Sequence, residues 1–209
     1  SVPVDKAVIA VGRRPNTDKL GLENLDESYA GKVPDFNRDD FRLQKFDNIF
    51  LVGDVTAERT LLHEAADEGF IAGHNAVNPT QCFKKRPFLG VTFSDPNIAT
   101  IGERHKELTK RNEEFVTGEV SFEGQGRSIV KLKEKGMLKL FAARKDGEIL
   151  GAELFAPDGE HLAHLIAWGI AMKLTVQEML TMPFYHPVVE EGLRTVSYTH
   201  LTLPTKRIV

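Results

Sequence analysis

The sequence predicts two folded parts of different class: an α/β segment over residues 1–82 and an α+β unit with an antiparallel sheet over residues 88–196. Three observations predict this. Two short apolar runs, Ala7–Val11 and Asn48–Val52, each end at a glycine, as a strand buried on both faces does. A helical stretch with many small residues follows the second run. Beyond residue 88 the pattern changes to short strands joined by turns, and then to amphipathic helices, the order of an α+β domain.

The 209 residues are enough for one large domain or two small ones. With 41% hydrophobic and 27% charged residues and a net charge of −3, the balance is too even for a binder of nucleic acid or a membrane surface. No apolar run reaches the ~20 residues of a membrane span, and no signal peptide is visible. Cys82 is the single cysteine, so no internal disulfide or CxxC pair can form, and a cytoplasmic, reducing setting is expected.

Taken in order, Ala7–Val11 reads as a buried strand ending at Gly12, with Arg13-Arg14-Pro15-Asn16-Thr17 as a polar turn at its carboxyl end. A buried strand this close to Ser1, with nothing before it to pair with, leads to the expectation that sequence precedes it. Residues 18–45 read as a connection with short strands. Asn48–Val55 reads as a strand ending at Gly53, where a backbone or ligand can approach closely. Asp54 then stands where a carboxylate can accept from a sugar or polyol hydroxyl; a plain strand-ending turn is the other reading. Thr60–Ala76 reads as a helix with a small-residue face, its positive end near Leu62 and His63. Asn78–Pro87 is the expected domain boundary and contains Cys82, which has no base beside it.

In the second part, Gly90–Phe93, Phe115–Val120, Ser128–Leu132, Met137–Ala143 and Ile149–Phe155 read as strands. Lys145-Asp146-Gly147-Glu148 forms a hairpin turn between the last two. Gly124-Gln125-Gly126 is a loop glycine pair. Gly159–Lys173 reads as an amphipathic helix with Asp158 as N-cap, and Thr175 with Glu178 forms a capping box for the next helix. His161 and His164 lie one turn apart on the long helix beside Glu160, but no third and fourth ligand can be placed, so a packing role is expected and no metal site.

Tyr185-His186-Pro187-Val188-Val189-Glu190-Glu191 carries the chemistry. Pro187 suits the first turn of a helix, which leaves His186 just outside it and Glu191 about one turn inside. An extended His186 can fold back so that a ring nitrogen meets the Glu191 carboxylate, the arrangement of an oriented general base. A capping histidine beside an exposed acidic first turn is the alternative. Ser197–Val209 lacks a helical period and is expected to cut this helix off as a non-native or disordered tail.

As an ordered set, Ala10-Val11-Gly12-Arg13-Arg14-Pro15-Asn16-Thr17, Ile49-Phe50-Leu51-Val52-Gly53-Asp54 and Tyr185-His186-Pro187 with Glu191 resemble the flavin-dependent pyridine nucleotide-disulfide oxidoreductases. Phe93-Ser94-Asp95-Pro96 and Gly151-Ala152-Glu153-Leu154-Phe155 support the resemblance, which covers residues 1 to about 196 and is strongest to the dihydrolipoyl dehydrogenase branch. It implies an α/β plus α+β architecture: the C-terminal remnant of the three-layer FAD- and NAD(P)-binding domains, followed by an α+β dimerisation domain. It implies FAD and NAD as cofactors, with Asp54 on the flavin's ribityl chain, Gly53 and Gly12 beside the cofactor, and Leu62 and His63 at the helix start facing the ring system. It implies a homodimer in which His186, oriented by Glu191, is the general base toward a dithiol such as a lipoyl group in the partner's active site.

The family's cysteine pair and its GxGxxG loop are absent from these residues, so the chain by itself is expected to be inactive and to act as the carboxyl-terminal part of an enzyme. A glutathione-reductase-like activity keeps the same residue roles with another substrate, and a standalone dimerisation module without catalysis is the third reading.

Overall fold

The structure, a computed structural model, describes residues 2–78, 83 and 85–202. The chain divides into two compact units, residues 1–85 and 86–209. Cys82 lies outside the described residues.

The first unit is built on local turns. The expected strand at Ala7–Val11 does not form: these residues are irregular, and Val8 and Val11 are 93% and 92% exposed. A strand needs a neighbour for its backbone groups, and none of the described residues pairs with it. The expected strand at Asn48–Val55 is reduced to one bridge, Phe50 to Arg42, and a second bridge joins Phe36 to Leu43 just before it. These bring Leu43 and Leu51 together with Leu22 and Tyr29 in a small core. Gly53–Thr56 then turns as a 3₁₀ helix, and helix α1 runs over Leu62–Val77. Ile71 and Ala72 of α1 close on the fully buried Phe41. Gly69 and Gly73 of α1 face open space.

The second unit is an α+β domain. Strands β1 (Leu89–Thr92), β2 (Asn97–Gly102), β3 (Phe115–Ser121), β4 (Met137–Ala143) and β5 (Ile149–Ala156) form one sheet in the order β1-β2-β5-β4-β3. Every pairing is antiparallel. Because side chains alternate along a strand, Ala99 and Ile101, Leu138 and Leu140, and Ala152 and Leu154 share one face and form the main core. Leu162, Ala163 and Ile166 of helix α4 (Gly159–Ala171) and Val176 and Met179 of α5 (Val176–Thr181) cover them. So do Leu193 and Val196 of α6 (Glu191–Thr202). The hairpin between β4 and β5 turns at Gly147, φ +78°, with the Glu148 amide bonded to the Asp146 carboxylate.

Four expectations are corrected here. Ser128–Leu132 is not a strand: helix α3 occupies Gly126–Val130 because the Gln125 side chain accepts from the Ser128 amide and caps it. That cap outweighs the β-branched preference of Ile129 and Val130, and β3 pairs directly with β4, which leaves no place for another strand between them. Asp158 is left-handed and makes no side-chain cap; its carboxylate is held by Lys131 instead. Helix α6 starts at Glu191 rather than Pro187. It also continues through Ser197, which is fully buried and bonds its hydroxyl to the Leu193 carbonyl, and reaches Thr202. Strand β2 and the short helix α2 (His105–Lys110) were not legible beforehand.

Candidate active-site residues

The two groups of expected site residues lie in different units and are described separately.

In the second unit, residues 186–190 form a bent, non-helical approach to α6. The Glu191 carboxylate is used at both oxygens. One takes the amide of Val188 at 3.1 Å, and the other lies 2.9 Å from His186 Nδ1. The His186 ring, foremost, holds the Glu191 carboxyl below its ordinary value; burial opposes this, and the Val188 amide adds a lesser lowering. An ionised carboxylate only accepts, so the proton of a neutral His186 sits on Nδ1. Nε2 then carries the lone pair. The His186 side chain is 78% exposed, against 29% for Glu191. An outward-facing imidazole backed by a fixed carboxylate can take a proton from an incoming acid, and the carboxylate stabilises the cation formed.

Next to this pair lies an apolar hollow of about 470 Å³, lined by Trp168, Met172, Met179, Phe184, Tyr185 and Leu193, among others. Trp168, Met172 and Tyr185 are largely exposed. His164, on the same helix, bonds Nδ1 to the Glu160 carbonyl at 2.7 Å, and His161 lies 3.8 Å from the Glu160 carboxylate. Among the described residues no cluster of three potential metal ligands occurs.

In the first unit, Gly53 has φ +75°, and a side chain there would stand 3.2 Å from the Ala65 side chain. What Gly53 lets in is therefore helix α1 itself. Its amide donates at 2.7 Å to Glu68, a nearly fully buried carboxylate on α1. Lys85 stands 3.5 Å from the other Glu68 oxygen, so the buried charge is compensated. Glu68 thus fixes the turn that presents Asp54, a role the sequence reading missed; its position one turn before Ala72 on the buried face of α1 is the available signal. Asp54 is half-exposed and lies 2.8 Å from the Arg13 guanidinium. Both belong to the rim of a cavity of about 270 Å³ that Arg14, Pro15, Asn16, Val55 and Thr60 complete. The start of α1 has no side-chain cap, and Leu62 is exposed there. Gly12 has nothing within 4 Å of the place a side chain would take.

The pyridine nucleotide-disulphide oxidoreductase dimerisation domain matches residues 89–197. The chain belongs to that family. Among its curated relatives, dihydrolipoyl dehydrogenase 2 of Haloarcula marismortui is 30% identical over 191 residues, 90% of this chain. Dihydrolipoyl dehydrogenase of Geobacillus stearothermophilus is 26% identical over 191 residues, 91% of this chain. In each case the chain spans 40% of the relative's length.

Solved structures agree on the fold. LpdA from Mycobacterium tuberculosis superposes with a TM-score of 0.75 at 23% identity, over 88% of this chain and 40% of that one. The HOCl-induced flavoprotein disulfide reductase RclA from Escherichia coli gives 0.72 at 18% identity, over 93% and 44%. No helix among the described residues is long and apolar enough to cross a membrane.

Proposed function

We propose that this chain is the carboxyl-terminal part of an FAD-dependent dihydrolipoyl dehydrogenase-like enzyme, in which electrons pass from a dithiol by way of FAD to NAD⁺. The observation that carries the reading is the 2.9 Å contact of His186 Nδ1 with Glu191, which leaves Nε2 as an outward-facing base. His186 Nε2 takes the proton of a substrate thiol; the S–H electron pair stays on sulfur, and the thiolate is the nucleophile for disulfide exchange. Glu191 holds the ring in the reactive tautomer and stabilises the imidazolium. It does not itself take the proton.

The first-unit residues fit part of a flavin. Asp54 offers a half-exposed carboxylate to polyol hydroxyls, and the uncapped start of α1 at Leu62 and His63 offers backbone donors to an electron-rich ring edge. FAD, when bound, supplies the two-electron carrier between dithiol and NAD⁺. Gly12 and Gly53 serve this site through backbone shape rather than contact. A homodimer follows the family's use of this domain, and the exposed apolar surface of Trp168, Met172 and Tyr185 suits burial against a second copy. In such a dimer His186 serves the partner's site.

The test is anaerobic reduction of the intact enzyme's flavin by a dihydrolipoyl-type dithiol. Bleaching of the flavin by the dithiol, with electrons then recovered in NADH, supports the reading. Reduction by NADH but not by any dithiol would overturn it.

A further inference from the structure

Glu191 orients His186 only if Glu191 is itself held in place, and one of its two bonds comes from the amide of Val188, a residue on an irregular segment. That segment is tied down from elsewhere. The side-chain amide of Gln125 donates from Nε2 to the Val188 carbonyl at 2.7 Å, across 63 positions of sequence. The same amide accepts the Ser128 N–H at Oε1, 2.8 Å away. One end must accept and the other must donate, so the amide has one orientation. A second contact joins the same two segments: the fully buried ring of Phe122 lies where a side chain on Gly192 would come within 3.0 Å of it.

We infer that Gln125 is a positioning residue for the His186–Glu191 pair, and this rests on the reading of that pair given above. The chain of bonds runs from the Gln125 amide to the Val188 carbonyl, from the Val188 N–H to Glu191, and from Glu191 to His186 Nδ1. The Val188 carbonyl and N–H belong to the two peptide planes that meet at its Cα, so holding the carbonyl restrains the N–H through the φ and ψ of that one residue. The carboxylate then keeps its second oxygen for the imidazole. Gln125 reaches neither substrate nor His186; it acts only through this backbone.

Two roles of Gln125 must be separated, because it also caps α3. Gln125→Glu does so: a carboxylate still accepts the Ser128 N–H but cannot donate to Val188. The readout is the tautomer of His186, measured by ¹⁵N NMR of the 209-residue chain at about pH 8.5, where imidazole is neutral. In the unsubstituted chain the Nδ1–H form dominates, although free imidazole side chains favour Nε2–H. Loss of one hydrogen bond predicts a fall of about threefold in the Nδ1–H to Nε2–H ratio for Gln125→Glu. Gln125→Ala, which adds no charge, moves the ratio in the same direction and covers the case in which the Glu variant does not fold.

Glu191→Ala is the reference. If it abolishes the Nδ1–H preference while both Gln125 variants keep the original ratio, Gln125 has only a capping role and the inference is overturned, with the His186–Glu191 reading intact. If Glu191→Ala leaves the ratio unchanged, the orienting role of Glu191 falls, and the role of Gln125 falls with it.

Discussion

Gly151 stands opposite Gly102 in the β2–β5 ladder, and the two backbones meet there without side chains between them. A methyl group on Gly151 would lie 2.0 Å from the Glu103 carbonyl oxygen and 2.6 Å from its nitrogen. Ordinary contact for such a carbon begins near 3.4 Å, so the β2 end must retreat by more than an ångström. Two backbone bonds hold it in place: Glu103 N–H to the Leu150 carbonyl at 3.0 Å, and Gly102 N–H to the Phe88 carbonyl at 2.8 Å. Overpacking costs about 1–3 kcal/mol, and each backbone bond lost adds about 1 kcal/mol. Gly151→Ala is therefore expected to cost about 3 kcal/mol, a large share of a typical domain's stability. For a domain of this size that is a fall in melting temperature on the order of 10 °C. Urea unfolding followed by circular dichroism measures it. Gly169→Ala is the paired control: the nearest atom to its added methyl is the flexible end of Met179, at 3.2 Å, and the site is helical. There the helix preference of alanine over glycine, about 1 kcal/mol, offsets the contact. A Gly151→Ala loss under about 1 kcal/mol, with an unchanged denaturant slope, would refute the close approach on which the magnitude rests.

Three further outcomes are expected. Glu191, held below its ordinary 4.5, binds its proton less readily folded than unfolded; its stabilisation is present above that value and lost as pH falls through the folded one. The stability advantage of the unsubstituted chain over Glu191→Gln should thus shrink between about pH 6 and pH 3, and an equal advantage at both would contradict the pairing. Thr175→Ala removes the hydroxyl that accepts from the Glu178 amide and is expected to lower stability by about 1 kcal/mol in the same unfolding assay. In the intact enzyme, Asp54→Ala should weaken flavin retention on dilution and gel filtration; full occupancy would remove Asp54 from the cofactor site.

What the sequence disclosed followed how local each signal was. Strands β3, β4 and β5 form on the expected segments, the turn at Asp146-Gly147 joins β4 to β5, and the Thr175–Glu178 box closes as expected. The pairing of His186 with Glu191 was legible from five positions of spacing. Ser128–Leu132 carries the β-branched composition of a strand, while the glutamine that caps α3 is a weaker local signal than Ser, Thr or Asp. Ala7–Val11 has a strand's composition, but a strand is a property of two segments, and none of the described residues pairs with this one. Gln125 and Glu68 act through contacts with Val188 and Gly53, 63 and 15 positions away, which no local pattern encodes.

The most direct measurement is the rate of flavin reduction by a dihydrolipoyl-type dithiol in the intact enzyme carrying His186→Gln. Loss of a positioned base predicts a fall of about 10²–10⁴-fold with flavin content unchanged. An undiminished rate in the flavin-loaded variant would show that His186 is not the base, and the account of this site would fail.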